Sequence, residues 1–247
     1  MRSLVLSDIH GNLGALEAVL ETAPPSSYDR LLVLGDLVGY GANPNEVVDR
    51  IFALGPHVLI RGNHDRVSSG REEPTRFNRI ATLAALWTRE ALTENNRKRL
   101  ADLPAGPIIV DGQIEVCHGS PVDEDTYVIE KDDALQALQA TERPLCLFGH
   151  THLPVVFEHD GTVLNVVTPN PGEQLVVTIQ PNHQYLINPG SVGQPRDGNP
   201  RAAFATFDSE QNELVLRRID YPVDSAQRKI VGAGLPGTLA DRLSLGR

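Results

Sequence analysis

Three times in its first 65 residues the chain passes through a short apolar run and stops on groups that can hold a cation or a proton. Residues 2–7 end at Asp8-Ile9-His10, residues 30–34 end at Gly35-Asp36, and residues 57–60 lead into Gly62-Asn63-His64-Asp65. Between the runs, residues 12–21 repeat Leu13, Leu16, Val19 and Leu20 at helical spacing, and residues 45–53 read as a second helix. A strand–loop–helix repeat needs right-handed crossovers and builds a parallel sheet. Its polar strand ends then gather on one edge, where open α/β sheets carry their ligand crevices.

Residues 77–92 and 93–103 read as two more helices, the second opened by Thr93 as an N-cap, and Trp87 lies on the apolar face of the first. Residues 108–110 and 113–117 pair as a hairpin through Asp111-Gly112, and the second strand ends at His118-Gly119. A helix over 132–140 precedes a strand over 145–148, which stops at Gly149-His150-Thr151-His152. Beyond it come short alternating strands over 155–158, 163–167, 175–179, 185–187, 202–207 and 214–218. Turns at Asp160-Gly161, Asn170-Pro171-Gly172, Pro181-Asn182 and Asn188-Pro189-Gly190 separate most of them. This second half is expected to form a mostly antiparallel sheet packed on the first, with helices outside, as a four-layer αββα sandwich. One domain over 1–222 follows, with a tail over 223–247 of two short helices split at Gly234-Leu235-Pro236 and packed on it.

A chain of 247 residues builds a core without disulfides or a structural metal, so size explains none of the metal-binding residue types. Cys117 and Cys146 each lie in an apolar run and are expected to be reduced core thiols. The leading apolar stretch is too short for a signal peptide or a membrane span, which gives the expectation of a cytoplasmic protein with no membrane partner. With 22 basic and 32 acidic residues, a net charge of −10 argues against a nucleic-acid partner, since such partners select a basic stripe.

Of eight histidines, His57, His159 and His183 have no special context, whereas His10, His64, His118, His150 and His152 sit at expected strand ends. A lone strand-end histidine is an ordinary structural residue. Five of them, joined by Asp8, Asp36 and Asn63 on one sheet edge, point to a metal centre. Imidazole and carboxylate without thiolate suit Mn, Fe, Co or Zn. Four protein ligands close a tetrahedral site, so this larger set with a carboxylate able to bridge implies two divalent ions, roughly 3.5 to 4 Å apart.

Asp8-x-His10, Gly35-Asp36, Gly62-Asn63-His64-Asp65, His118-Gly119 and Gly149-His150-Thr151-His152 together resemble the five blocks of the calcineurin-like metallophosphoesterases. The likeness runs from about residue 3 to residue 152, is extended by Asn188-Pro189-Gly190-Ser191, and in compact size is similar to the small prokaryotic phosphodiesterase branch. It implies one metal on Asp8, His10, Asp36 and His152 and another on Asp36, Asn63, His118 and His150, with Asp36 bridging. It implies that His64 contacts the phosphoryl group and assists the leaving oxygen, with Asp65 orienting its ring. The implied reaction is hydrolysis of phosphodiester bonds in small molecules or nucleotides by hydroxide shared between the two metals, without a covalent intermediate.

The protein Ser/Thr phosphatases of this family, and the symmetrically cleaving dinucleotide tetraphosphatases that resemble them, carry Asp-Arg-Gly after the Gly-Asp block; here Gly35-Asp36-Leu37-Val38-Gly39-Tyr40-Gly41 departs from it, which argues against phosphoprotein substrates. Tyr40 is read either as a stacking surface for a flat leaving group or as packing. Arg196 and Arg201 are read either as phosphate clamps or as parts of a surface hairpin. Three rival functions remain: hydrolysis of dinucleoside polyphosphates, DNA cleavage, which the acidic balance disfavours, and a non-catalytic scaffold of the same fold. The scaffold reading requires loss of the catalytic histidine, and His64 is intact.

Overall fold

The computed structural model describes residues 1–170 and 172–247; of the expected turn at Asn170-Pro171-Gly172, Pro171 lies outside the described residues. The first half alternates strand and helix as its periodicity demands: β1 (Arg2–Leu6), α1 (Leu13–Thr22), β2 (Arg30–Val33), α2 (Pro44–Leu54), β3 (Val58–Leu59) and α3 (Asn63–Ser68). Then follow α4 (Arg79–Ala91), α5 (Glu94–Ala101), β4 (Ile108–Val110), β5 (Ile114–Val116), α6 (Lys131–Gln139) and β6 (Leu145–Leu147). The strand-rich part comprises β7 (Val155–His159), β8 (Leu164–Val167), β9 (Leu175–Thr178), β10 (Gln184–Asn188), β11 (Ala202–Asp208) and β12 (Glu213–Ile219). The tail folds as α7 (Val223–Gly232) and α8 (Gly237–Leu245), split where the Gly-Leu-Pro triplet breaks the helical pattern.

Two mixed six-stranded sheets result, ordered β3-β2-β1-β11-β12-β9 and β4-β5-β6-β10-β7-β8. The sequence-based division into a parallel first half and an antiparallel second half is corrected here. β9, β11 and β12 join β1 to β3 in the first sheet, while β4, β5 and β6 start the second. Period-two alternation identifies a strand but carries no information about its neighbour, because any half-buried strand presents the same ladder of backbone groups. The layers are as expected: α1 and α2 cover one sheet through Leu16, Val19, Val47 and Ile51, and α6 covers the other through Ala134, Ala137 and Leu138. Between the sheets Val5, Leu32, Ile60, Val116, Leu147 and Phe207 form the common core. Truncating one such leucine to alanine costs about 2–5 kcal/mol.

β1, β2 and β3 are parallel to one another, as are β5, β6 and β10, so each sheet brings several strand ends to one place. The Asn188 to Ser191 turn ties the two edges together. Ser191 Oγ donates to the Asp8 carbonyl at 2.7 Å, and Asn188 Nδ2 donates to the Gly149 carbonyl at 2.7 Å. Among the described residues no helix is long and apolar enough to cross a membrane.

Candidate metal centre

Asp8, His10, Asp36, His150 and His152 all have φ between 49° and 66°, the left-handed region that non-glycine residues rarely occupy. Each lies just beyond a strand, and the turn there directs its side chain to the shared sheet edge. Backbone strain of this kind costs about 1–3 kcal/mol per residue and persists only where the surroundings enforce it. Its concentration in five neighbouring polar residues marks the site.

Three imidazoles are held from behind. His10 Nδ1 donates to the Val38 carbonyl at 3.0 Å, His118 Nδ1 to Leu34 at 2.8 Å, and His152 Nδ1 to Gln194 at 2.6 Å. A carbonyl only accepts, so each Nδ1 carries a proton and each Nε2 faces the centre, with a free lone pair on His10 and His152, whose rings are neutral. Nε2 of His10 and Nε2 of His152 then face each other at 3.0 Å. Burial first, and the neighbouring positive charge of Arg196 with it, hold both rings well below the ordinary histidine range, so neither is protonated to relieve that opposition.

The carboxylates complete the cluster. Asp8 Oδ2 accepts from Ser7 Oγ at 2.6 Å and from the His150 amide at 3.1 Å, which leaves Oδ1 buried without a partner, 3.4 Å from His152 Nε2. Asp36 Oδ1 accepts from the His64 amide at 2.8 Å. Its Oδ2 lies 3.6 Å from His10 Nε2 and 3.5 Å from His118 Nε2. Burial pushes Asp8 up to about 6, against the opposing pull of His118. Burial works in the same direction on Asp36, but the facing His118 outweighs it and holds that carboxyl well below the usual range, while Asp36 in turn raises His118 against its own burial.

Among the described residues, candidate ligand atoms fall within 4.8 Å of one another in three groups: Asp8, His10 and His152; Asp36, His118 and His150; and His10, Asp36 and His64. Asn63 Oδ1 is 3.3 Å from His118 Nε2, so it joins the second group. Asp8 Oδ1 and His150 Nε2 are buried without partners, and two opposed lone pairs lie nearby. A cation would satisfy all of these groups, and a donor set of oxygen and imidazole fits Mn, Fe or Zn.

The third group shows that distance alone permits His64 as a ligand, although the sequence reading kept it metal-free. His64 has no carbonyl behind it; Nδ1 is buried against Gly39 and unpartnered. Its ring sits among His10, Tyr40 and Phe77, with centroids 4.9, 4.4 and 4.5 Å away. Burial pushes it down to about 4.

Asp65 does not orient that ring, contrary to expectation. Its Oδ2 accepts from the Gly62 amide at 3.0 Å and its Oδ1 from the Val38 amide at 3.2 Å. The tetrapeptide is the start of α3, and the acid at its third helical position reaches back to the Gly62 amide at the helix start. Asp65 therefore fixes the Val38 and Gly39 backbone that supports His10 and abuts His64.

Tyr40 is only 6% exposed and packs on His10, on His64 and, through the tail cluster, on Ile230 and Leu239. It is a wall of the site and lines the cleft over His64. Arg196 is half-buried beside it, with Nη2 3.1 Å from Gln194 Oε1 and 3.4 Å from the Tyr40 hydroxyl. It is near enough to lower the titration of His10, His64, His150 and His152. Arg201 turns instead to Asn199. Tyr127, which sequence reasoning missed, stacks on His150 at 4.0 Å from an irregular segment with no periodicity to reveal it.

A family model described as the calcineurin-like phosphoesterase superfamily domain matches residues 1–212. The chain belongs to that superfamily. The crystal structure of a metallophosphoesterase from Sphaerobacter thermophilus is 38% identical and superposes with a TM-score of 0.88, covering 100% of this chain and 99% of that one. An uncharacterized protein of Methanocaldococcus jannaschii is 36% identical over 248 residues, 98% of this chain and 97% of its own. The phosphodiesterase YfcE of Escherichia coli K12 is 26% identical over 220 residues, 85% of this chain and 89% of its own. The phosphoesterase family that the five blocks resemble and the two-sheet sandwich expected from the strand pattern are thus both found.

Proposed function

We propose that this phosphoesterase is a binuclear-metal hydrolase of phosphodiester bonds in small molecules or nucleotides. The observation that carries the reading is the position of Asp36 Oδ2, 3.6 Å from one imidazole cluster and 3.5 Å from the other, where a single carboxylate oxygen can serve both. On this reading Asp8, His10, Asp36 and His152 hold one cation, and Asp36, Asn63, His118 and His150 hold the other. When bound, the two cations supply Lewis acidity and activate water at neutral pH.

The chain's own groups do the rest. Carbonyls behind His10, His118 and His152 fix which nitrogen faces inward, so the ligands are preorganised. His64, neutral because it is buried, offers a ring N–H to a phosphoryl or leaving oxygen. Arg196 supplies a fixed positive charge at the same rim for phosphoryl oxygens. Tyr40 and Gln194 hold the guanidinium in place. The name of the Escherichia coli relative supports the diester preference. Turnover of bis(p-nitrophenyl) phosphate with added Mn²⁺ tests the reading; no activity with Mn²⁺, Fe²⁺, Co²⁺ or Zn²⁺ would sink it.

A further inference from the structure

Beside the metal-ligand cluster a cleft of about 220 Å³ opens over Asn63, His64 and His150. Besides Tyr40 and the histidines, two aromatic rings line it. Phe77 lies against His64 with centroids 4.5 Å apart, and Tyr127, 49% exposed, lies against His150 at 4.0 Å. Phe77 packs partly against the tail cluster of Tyr40, Ala81 and Leu239, neither ring is fully buried, and both line the cleft.

The two rings come from separate irregular segments, one before α4 and one between β5 and α6, which nothing in the sheet architecture holds together. Ion pairs do so, among them Arg76 of the first segment with Asp125 of the second at 3.4 Å. Arg66 on α3, 12% exposed, pairs with Glu72 of the first segment and with Glu124 and Asp125 of the second. Arg61 adds a bidentate pair to Glu124 at 2.8 and 3.0 Å, and Arg89 binds the Glu72 carbonyl at 2.8 Å and Glu73 at 3.0 Å. Guanidinium forks of this kind set geometry as well as energy. The acidic groups of the cleft are thereby paired, and the segments that carry the two rings are tied to α3.

We infer that Phe77 and Tyr127 are specificity-determining residues that hold a planar aromatic group of the substrate, a nucleobase or an aryl ring, next to His64. The inference rests on the phosphodiesterase reading of the same site and deepens it. Aromatic faces accept any flat π system, so this device selects shape and planarity rather than a particular base. With His64 in the cleft, the selected group is the one carried by the oxygen that His64 serves.

The test uses two phosphonates that cannot be hydrolysed and differ only in planarity, benzylphosphonate and cyclohexylmethylphosphonate, titrated calorimetrically into Mn²⁺-loaded protein. Wild type should bind the planar ligand about tenfold more tightly. Phe77→Leu and Tyr127→Leu should each erase most of that preference, read as the ratio of the two affinities within each variant. Phe77→Tyr and Tyr127→Phe, which keep a ring, should retain it. Equal binding of the two ligands by wild type, or a preference that survives both leucine variants, overturns the inference alone if bis(p-nitrophenyl) phosphate is still turned over. Failure to bind either ligand, together with absent turnover, overturns it along with the reading beneath it.

Discussion

Gly62→Ala isolates the bridging role of Asp36 in one methyl group. Gly62 has φ −105° and ψ 179°, extended backbone open to any residue, so alanine adds no backbone strain. The new Cβ would stand 2.1 Å from Asp36 Oδ1, 2.6 Å from its Cγ and 2.7 Å from its amide nitrogen. Comfortable contact lies near 3.5 Å, so the carboxylate must retreat by more than ~1 Å. Asp36 Oδ1 also anchors the His64 amide, so the same shift moves the proposed catalytic ring. Misplacement of about 1 Å costs about 10²-fold in rate, and loss of a fixed ligand contact about 10- to 100-fold in metal affinity. Expected are a fall of about 10²-fold or more in kcat on bis(p-nitrophenyl) phosphate, a metal content below wild type, and an unchanged circular dichroism spectrum. Gly232→Ala is the control: in α7 a Cβ meets nothing within 4 Å, and alanine should stabilise by up to about 1 kcal/mol with wild-type kinetics. Wild-type metal content and kcat in Gly62→Ala would refute the placement of Asp36 at the heart of the site.

His64→Ala should keep both metals yet lose about 10²- to 10⁴-fold in kcat, whereas His64→Gln, which retains an N–H donor, should lose less. Because burial holds His64 near 4 and bound cations act in the same direction, the pH profile of kcat/KM should show no inflection that disappears with His64→Gln. Mn²⁺ should raise the Tm of wild type with concentration and leave Asp36→Asn much less affected, as thermal melts would show. Burial favours the neutral form of Glu124, but its bonds to Arg61 and Arg66 outweigh this and depress its pKa, so its contribution to stability is full above about pH 4.5 and disappears as pH falls through the folded value. Urea titrations of Glu124→Gln across that window should lose the corresponding part of the pH dependence; an unchanged profile would contradict the assignment.

The metal-ligand candidates were legible because a strand end is a fixed place. Asp8, Asp36, Asn63, His118, His150 and His152 each follow an apolar run, and the sheet needs only to form for them to meet. The start of α3 was legible in principle, since Asp65 three residues after Gly62 is an acid at a helix start, but Gly-Asn-His-Asp satisfies turn chemistry equally well. Helix α4 starts at Arg79 with Asn78 capping Ala81, which releases Phe77 from the helix its spacing suggested and lets it face the cleft. Tyr127 and the Arg66 network belong to irregular segments whose placement depends on ion pairs between residues about 60 positions apart, and such pairs leave no periodic trace. For the same reason the partners of β9, β11 and β12 were hidden: strand pairing is settled by the assembled sheets.

The most direct test of the binuclear reading is an anomalous difference map from crystals of this protein grown with Mn²⁺. The account predicts two peaks in each chain that share Asp36, one contacted by Asp8, His10 and His152 and the other by Asn63, His118 and His150, with no peak bonded to His64. A single peak, or a second ion held by His64, would contradict it.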